Sequence, residues 1–205
     1  MTIPERDSPA LPDGHRPRVA DAAPALDRIL IAWERHEGSD RRSTSHRLLR
    51  ALAGGPGPVR SGPCPRCGGA HGRPRVPDRA FEVSVSYTDD LAIVAAVPSS
   101  AADAIGIDAQ AGEPDGIASA DRLRPGTTLL DWTRIEAALK ADGRGLAVDP
   151  GRVSVSAGPD GWTALVPGRA APVLGRDVDG PDGVVVSVAI VPAATEGARA
   201  DPPTA

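Results

Sequence analysis

The sequence predicts an α+β fold, and three patterns lead to this class. A strong helical pattern covers residues 129–141. Two strand-like runs at 81–86 and 91–97 lie on either side of a short turn, as in a hairpin. Three more strand-like runs follow after residue 150. The length of 205 residues suits one domain or two small halves that share a core.

The composition predicts a small aliphatic core. Gly and Pro contribute 23 and 22 residues, whereas the chain has only three Trp, one Tyr and one Phe. Hydrophobic residues still make up 40% of the chain, so we expect a core of Ala, Val, Leu and Ile. Two cysteines are too few for a disulfide-rich scaffold.

The first part of the chain is expected to hold a tail and two helices. Residues 1–20 are rich in Pro, Asp and Arg without periodicity and predict a loose tail. Apolar residues at i, i+3, i+4 and i+7 predict a helix over residues 24–33. A second helix is expected to begin with Ser43 or Thr44 as its cap and to end at Gly54.

The middle of the chain predicts a loop followed by a hairpin. Residues 54–80 are rich in Gly and Pro, and loops of this length within a domain are usually functional or disordered. Residues 81–86 alternate apolar and polar side chains, while residues 91–97 form a continuous apolar run, so together they predict the hairpin. Residues 98–103 are interpreted as the link from an N-terminal half, 21–100, to a C-terminal half.

The C-terminal half covers residues 101–192. It is expected to begin with a strand over residues 104–110, and the helix over residues 129–141 follows. Residues 193–205 predict a disordered tail. The last strands are expected at residues 153–157, 162–166 and 183–191.

The charge pattern argues against a general nucleic-acid binder. The net charge is −4, whereas residues 35–79 contain ten Arg against three acidic residues and carry +7. This local excess suggests an anionic ligand, and a solvated Arg-rich surface is the equally weighted alternative. The sequence has no apolar run of ~18 residues and no charged segment leading into an apolar stretch, so we expect a cytoplasmic protein without a membrane span.

Two polar patterns are candidates for chemistry. Asp108 and Gln110 lie two residues apart on one strand face, and their oxygens suit a hard cation such as Mg²⁺. Glu136 and Lys140 lie four residues apart on one helix face. Each pattern also has an ordinary explanation, because an Asp at a strand end often forms a turn and a Glu–Lys pair stabilises a helix by ~0.3 kcal/mol.

A second candidate metal site lies within the predicted loop. Cys64 and Cys67 form a C-x-x-C pattern, and His71 follows four residues later. Thiolates and imidazoles at such spacing are ligands that Zn²⁺ uses, with His46 or His36 as candidates for the fourth position. The alternative is a pair of reduced thiols. A bound zinc would act as a structural staple of the loop.

Four blocks of sequence occur in the order found in one enzyme family. Gly72-Arg73-Pro74 resembles G-(K/R)-P, and Val83–Thr88 lies where the family has a strand ending in S-H-S. Ile105–Gln110 resembles G-(V/I)-D-x-E. The most specific block, Trp132–Lys140 followed by Gly143–Leu146, is similar to W-(S/T)-x-K-E-A-x-x-K-x-x-G-x-G-L. The chain thus resembles the 4′-phosphopantetheinyl transferases of the surfactin-synthetase-activating type.

The resemblance implies a reaction. Family members move the phosphopantetheine arm of coenzyme A onto a serine of an acyl, aryl or peptidyl carrier protein and release adenosine 3′,5′-bisphosphate. The serine hydroxyl attacks the β-phosphorus of a pyrophosphate, while Mg²⁺ and cations hold the developing charge. The implied partners are coenzyme A and an apo carrier protein, with no nucleic acid and no membrane.

The resemblance also implies roles for individual residues. Asp108, Gln110 and Glu136 would hold Mg²⁺, and Glu136 would also take the serine proton, directly or through water. Lys140 would contact the phosphates and count, with Asp108 and Glu136, as catalytic. Coenzyme A would be bound by Lys140 and by a set from the first half, in which the arginines hold the adenosine 3′-phosphate: Arg47, Arg50, Arg73, Pro74, Ser86 and Tyr87.

The implied architecture has two similar halves. Each would be a small antiparallel sheet packed on a helix, as in an internal duplication, with the site at their interface. The link at residues 98–103 agrees with this arrangement. Two internal halves imply a monomer.

Departures from the family pattern support a second hypothesis, a non-catalytic relative that binds coenzyme A or a carrier protein. Gln110 stands where an acidic ligand is usual, Tyr87-Thr88 replaces His-Ser, and the segment between Asp108 and Glu136 is short. A third hypothesis, outside the family, is a zinc-stabilised adaptor.

Overall fold

The computed structural model describes residues 25–36, 40–54, 57–64, 67–70, 72–77, 80–118 and 123–193. The tails predicted at 1–20 and 193–205 lie outside these ranges, apart from Ala193, and so does His71.

Two α-helices are found among the described residues, where the sequence predicts them. Helix α1 spans Arg41–Ala53 and helix α2 spans Leu129–Asp142. Each ends at a glycine in the left-handed region, Gly54 with φ 67° and Gly143 with φ 90°, a conformation that favours residues without a side chain. Within the described residues, no helix is long and apolar enough to cross a membrane.

Ten strands pair antiparallel in the described part of the chain. They are β1 (Leu30–Arg35), β2 (Arg60–Ser61), β3 (Pro74–Arg75), β4 (Phe81–Tyr87), β5 (Leu91–Pro98), β6 (Ala102–Ala111), β7 (Ser154–Gly158), β8 (Gly161–Leu165), β9 (Val173–Val178) and β10 (Val184–Pro192). The first sheet has the order β1-β5-β4 and the second has the order β6-β10-β9-β8-β7. Strands β2 and β3 form a separate small ladder. The predicted α+β class, with small antiparallel sheets and two helices, is confirmed.

Hydrophobic alternation along the strands stacks these elements in four layers. One face of β5, which includes Ile93, packs against Ile105 and Ile107 of β6, so the two sheets share a buried cluster. The opposite face of the first sheet packs on α1, and the opposite face of the second sheet packs on α2. The order is therefore α1, first sheet, second sheet, α2. Because successive residues of a strand face opposite sides, each sheet buries both of its faces.

The helix predicted over residues 24–33 is wrong. Leu26–Arg28 form one 3₁₀ turn, and the chain continues into β1, which pairs with β5 from Leu30 opposite Ala96 to Arg35 opposite Leu91. Ile31 faces the inter-sheet cluster while Ala32 faces α1. The segment thus satisfies a period of two as well as a helical period, and pairing with β5 selects the strand.

Two smaller expectations also fail. Ser43 and Thr44 do not cap α1, because the helix begins earlier, at Arg41, and both lie inside it. Strand β9 was not predicted from the sequence, since Gly175 and Arg176 interrupt its apolar pattern. Gly175 is needed there because a Cβ at this position would lie 2.3 Å from the ring of Trp162 on the neighbouring strand.

Gly106 lets α2 lie directly on β6. A Cβ built on Gly106 would lie 2.1 Å from the carbonyl oxygen of Ala137 and 2.5 Å from the backbone nitrogen of Ala141. These are backbone atoms of a packed helix, so a side chain at residue 106 would push α2 away from the strand.

The Gly106→Ala substitution is expected to lower the free energy of unfolding by about 1–3 kcal/mol through overpacking. Urea denaturation followed by circular dichroism measures this change. Gly158→Ala is the matched control, because its Cβ would make only an ordinary contact at 3.8 Å. Equal stability of the two variants would contradict the close contact between β6 and α2.

Candidate functional site

The candidate site lies where two edge strands meet. Strand β4 is at one edge of the first sheet and β6 is at one edge of the second. The Ser84 hydroxyl accepts a hydrogen bond from the Ile107 N–H at 3.1 Å, and the Ser86 hydroxyl accepts one from the Ala109 N–H at 3.1 Å. Serine side chains of β4 therefore satisfy backbone donors that β6 would otherwise leave unpaired.

Asp108 is the buried centre of this junction, with only 3% of its surface exposed. Its Oδ1 accepts hydrogen bonds from the Ser86 hydroxyl at 3.1 Å and from the Lys140 Nζ at 2.6 Å. Its Oδ2 accepts from the Gln110 Nε2 at 2.8 Å. A buried carboxylate needs such partners, so these contacts keep a negative charge in the interior.

Lys140 lies in the last turn of α2 and reaches across to β6. Besides the ion pair with Asp108, its ammonium donates to the Ile107 carbonyl at 3.0 Å and to the Ser86 hydroxyl at 3.3 Å. Lys140 is the only lysine of the chain, whose other basic residues, apart from histidine, are 22 arginines. An ammonium has three N–H donors and can serve these three acceptors at once. The lone lysine is a signal that the sequence offers directly.

Glu136 lies one turn before Lys140 and is half-buried. Burial, together with the negative charge of Asp108, raises the pKa of this carboxyl above its ordinary value, against the opposing effect of Lys140. Among the described residues, no group hydrogen-bonds or ion-pairs with its side chain. The Glu136 carboxylate is thus available to accept a proton or a cation.

The donor set fits the kind of metal that the sequence predicts. Asp108 and Glu136 offer carboxylates and Gln110 offers an amide oxygen, which are ligand types that Mg²⁺ accepts while keeping several waters. Within the described residues, no three His, Cys, Asp or Glu side chains form a metal-binding group, so the site has only two acidic members. One oxygen of Asp108 is already paired with Lys140.

The structure places Arg73 differently from a surface phosphate ligand. Its Nη2 donates to the carbonyl oxygens of Ile105 at 3.1 Å and Ala141 at 3.2 Å, and also to that of Lys140. Burial lowers the pKa of the guanidinium. Arg73, with Pro74 beside it on β3, thus anchors the loop to β6 and to the end of α2.

Tyr87 belongs to a second cluster, at the start of α1. Its hydroxyl shares a hydrogen bond of 2.7 Å with the Ser45 hydroxyl, and the Arg41 guanidinium lies 5.1 Å from its ring centre. The His36 ring meets it edge-on at 6.4 Å, with both imidazole nitrogens buried and without a hydrogen-bond partner in the described part of the chain. The sequence pattern did not single out Ser45 or Arg41, although Arg41 lies in the basic segment, and it offered His36 only as a candidate zinc ligand.

The other predicted arginines are elsewhere on α1. Arg47 forms two hydrogen bonds with the Glu34 carboxylate, at 2.5 and 2.6 Å, and this contact raises the pKa of the guanidinium. Arg50 is exposed. Neither is brought to Asp108, so a ligand that touches them and the junction would have to extend along the first half.

Arg144, in the Gly143–Leu146 block, has a structural role. Arg144 pairs with Asp142 at 2.6 Å and donates to the Pro167 carbonyl at 2.9 Å, while Arg169 contacts the same carboxylate at 3.4 Å. Burial acts to raise the pKa of Asp142, but the arginine hydrogen bonds outweigh it and hold that pKa below its usual value. These contacts fix the chain direction after α2.

The predicted zinc ligands are only partly described. Cys64 and Cys67 lie on one turn, whereas His71 lies outside the described residues. Within the described chain, the structure does not join His36 or His46 to the cysteines in a metal-binding group. His46 is half-buried on α1, where burial and then the charges of Arg42 and Arg50 lower its pKa.

No family model matches the chain, and no curated protein matches it significantly.

The raised pKa of Glu136 predicts a pH-dependent effect of Glu136→Gln. The folded state holds this carboxyl less readily in its charged form, so the protein loses stability as pH rises from the ordinary pKa of 4.5 through the raised folded value. The variant lacks this loss. The stability of the variant relative to the wild type is therefore expected to be higher at pH 7 than at pH 4.

Denaturant unfolding at both pH values measures this difference. Glu113→Gln, at an exposed position, is the control and should show no such pH dependence. A stability difference for Glu136→Gln that is the same at pH 4 and pH 7 would contradict the raised pKa of this carboxyl.

Proposed function

We propose that the chain transfers the 4′-phosphopantetheine arm of coenzyme A to a serine of an acyl or peptidyl carrier protein, with Mg²⁺ as cofactor. One observation carries this proposal: Asp108 and Glu136, the two carboxylates of the motif resemblance, lie with Lys140 at the junction of the two sheets. The strand and the helix that hold them are those on which the resemblance depends.

The proposed step is a phosphoryl-group transfer. The serine oxygen forms a bond to the β-phosphorus, the bond from that phosphorus to the bridging oxygen breaks, and adenosine 3′,5′-bisphosphate leaves. Glu136 takes the serine proton, directly or through water. Its raised pKa suits this role, because a base whose pKa is closer to neutrality accepts a proton more readily.

The charges at the junction suit a polyanion only with help from cations. Asp108 and Glu136 together outweigh Lys140 by one negative charge. A bound Mg²⁺ would neutralise this excess and the negative charge on the pyrophosphate. Lys140 provides the fixed positive charge, and Asp108 holds its ammonium in place at 2.6 Å.

The cluster at the start of α1 supports binding of the adenosine end of coenzyme A. Arg41 over Tyr87, with the Ser45 hydroxyl, offers a cation and hydroxyl donors that suit a phosphate. Tyr87 directly follows Ser86, which contacts both Asp108 and Lys140, so β4 connects this cluster to the junction. We therefore propose Arg41 as a 3′-phosphate ligand in place of Arg47, which is paired with Glu34.

A specific observation favours a second candidate, a protein that binds coenzyme A without transferring its arm. The ammonium of Lys140 and the amide of Gln110 occupy both oxygens of Asp108, the residue expected to hold the metal. Arg73, one of the expected phosphate ligands, is bound to backbone carbonyls. These contacts would have to rearrange before a metal and a pyrophosphate enter.

Transfer is tested by incubating the full chain with a fluorescent coenzyme A, Mg²⁺ and a panel of apo carrier proteins. Labelled carrier is the expected product. Asp108→Ala and Glu136→Ala are expected to slow transfer at least about 100-fold, the usual effect of removing a general base or a metal ligand. Asp103→Ala is the matched control, since Asp103 is exposed on the same strand, and it should transfer at the wild-type rate.

The lone lysine separates the two candidates. An amine-acetylating reagent modifies only Lys140 and the chain terminus, and peptide mass spectrometry locates the product. Coenzyme A with Mg²⁺ is expected to protect Lys140 under either candidate. Protection without transfer to any carrier selects the binding protein, and absence of both rejects the two proposals together.

A further inference from the structure

We infer that the hairpin from Arg60 to Arg75 binds a zinc ion through the thiolates of Cys64 and Cys67. These are the two cysteines of the whole chain, and both lie on one turn of this hairpin. No disulfide joins them. The inference concerns a separate site from Asp108 and does not depend on the proposed transfer.

Two backbone hydrogen bonds close the turn that carries the cysteines. The Gly68 N–H donates to the Cys64 carbonyl at 2.8 Å, and the Cys64 N–H donates to the Gly69 carbonyl at 2.8 Å. Gly68 is in the left-handed region with φ 72°, which lets the chain reverse directly after the second cysteine. These bonds hold the two cysteines, three residues apart, on a single tight turn, as a pair of ligands to one tetrahedral ion requires.

The hairpin has no hydrophobic core of its own. Val59 and Val76 are buried at its base, but none of the described residues from 60 to 75 is buried. Its ladder has only two pairs, Arg60 opposite Arg75 and Ser61 opposite Pro74. Arg73 anchors the base of the hairpin to β6 and α2, but a two-stranded hairpin without a buried apolar face is marginal in water, and a structural metal is one of the usual ways to stabilise such a segment.

The backbone between the two-pair ladder and the cysteine turn is nevertheless closely packed. The Gly62 N–H donates to the Arg73 carbonyl at 2.8 Å, and the Gly72 N–H donates to the Gly62 carbonyl at 2.9 Å. A Cβ on Gly72 would lie 2.3 Å from the Pro63 carbonyl oxygen. Because Gly72 has no side chain, its backbone can lie close to Pro63, and the two arms of the hairpin stay in register up to the cysteine turn. A zinc ion at the tip would hold the same register.

The ligand chemistry selects zinc over harder cations. Thiolates favour soft and borderline ions, whereas Mg²⁺ and Ca²⁺ take oxygen ligands. Binding converts two thiols to thiolates and releases two protons to solvent while two zinc–sulfur bonds form. The turn fills two positions of a tetrahedral shell. His71, which follows Ala70 in the sequence, lies outside the described residues and carries no part of this inference.

The test is the zinc content of the full chain, purified under reducing conditions and dialysed. We expect about one zinc per chain in the wild type and less than about a tenth of that in Cys64→Ser and Cys67→Ser. Ser61→Ala is the matched control, because it alters the same ladder and keeps both thiols, and it should retain the metal.

A second measurement does not depend on variants that fold. In the wild type, both thiols should be slow to react with a thiol reagent until a chelator is added, and two thiols should then react per chain. Cobalt substitution should give the intense sulfur-to-metal absorption of thiolate ligands. Two reactive thiols before chelation, a Cys64–Cys67 disulfide in the purified protein, or zinc retained by both serine variants would each overturn the inference.

Discussion

The structure depends on how hydrogen bonds are satisfied along the edge of β6 that no strand of its own sheet covers. This strand pairs with β10 on one side, and on the other side the hydroxyls of Ser84 and Ser86 accept its N–H groups. A buried backbone donor without a partner costs free energy, so these serines join the sheets as well as fill space. The same geometry brings Asp108 against Ser86. The candidate site is thus a product of the way two sheets meet.

The charge balance of the junction follows from that meeting. A carboxylate as buried as Asp108 needs a cation, and Lys140 supplies it from α2 because Gly106 allows the helix to lie against β6. Glu136 lies half-buried on the same helix, and burial, followed by the negative charge of Asp108, raises its pKa against the opposing effect of Lys140. Structure and chemistry therefore share a single lysine: the group that neutralises the interior is also the group proposed to meet phosphate.

The sequence was sufficient where a local pattern and the final environment agree. The period of two over residues 104–110 placed Asp108 opposite the core face, and glycines marked the ends of both helices. It was insufficient where two periods coexist, as in the segment that became β1, and where a strand contains Gly175 and Arg176. The engagement of Arg73 with carbonyls and of Arg47 with Glu34 depends on distant neighbours, which no local pattern encodes.

The shared cluster between the sheets has a consequence for folding. Ile31 and Ile93 come from the N-terminal half, and Ile105 and Val188 come from the C-terminal half, yet all four are buried in one cluster. Either half alone would expose an aliphatic sheet face to water, so neither has the closed core of an independent domain. The two halves are accordingly one cooperative unit, and a damaged contact in one sheet weakens the other.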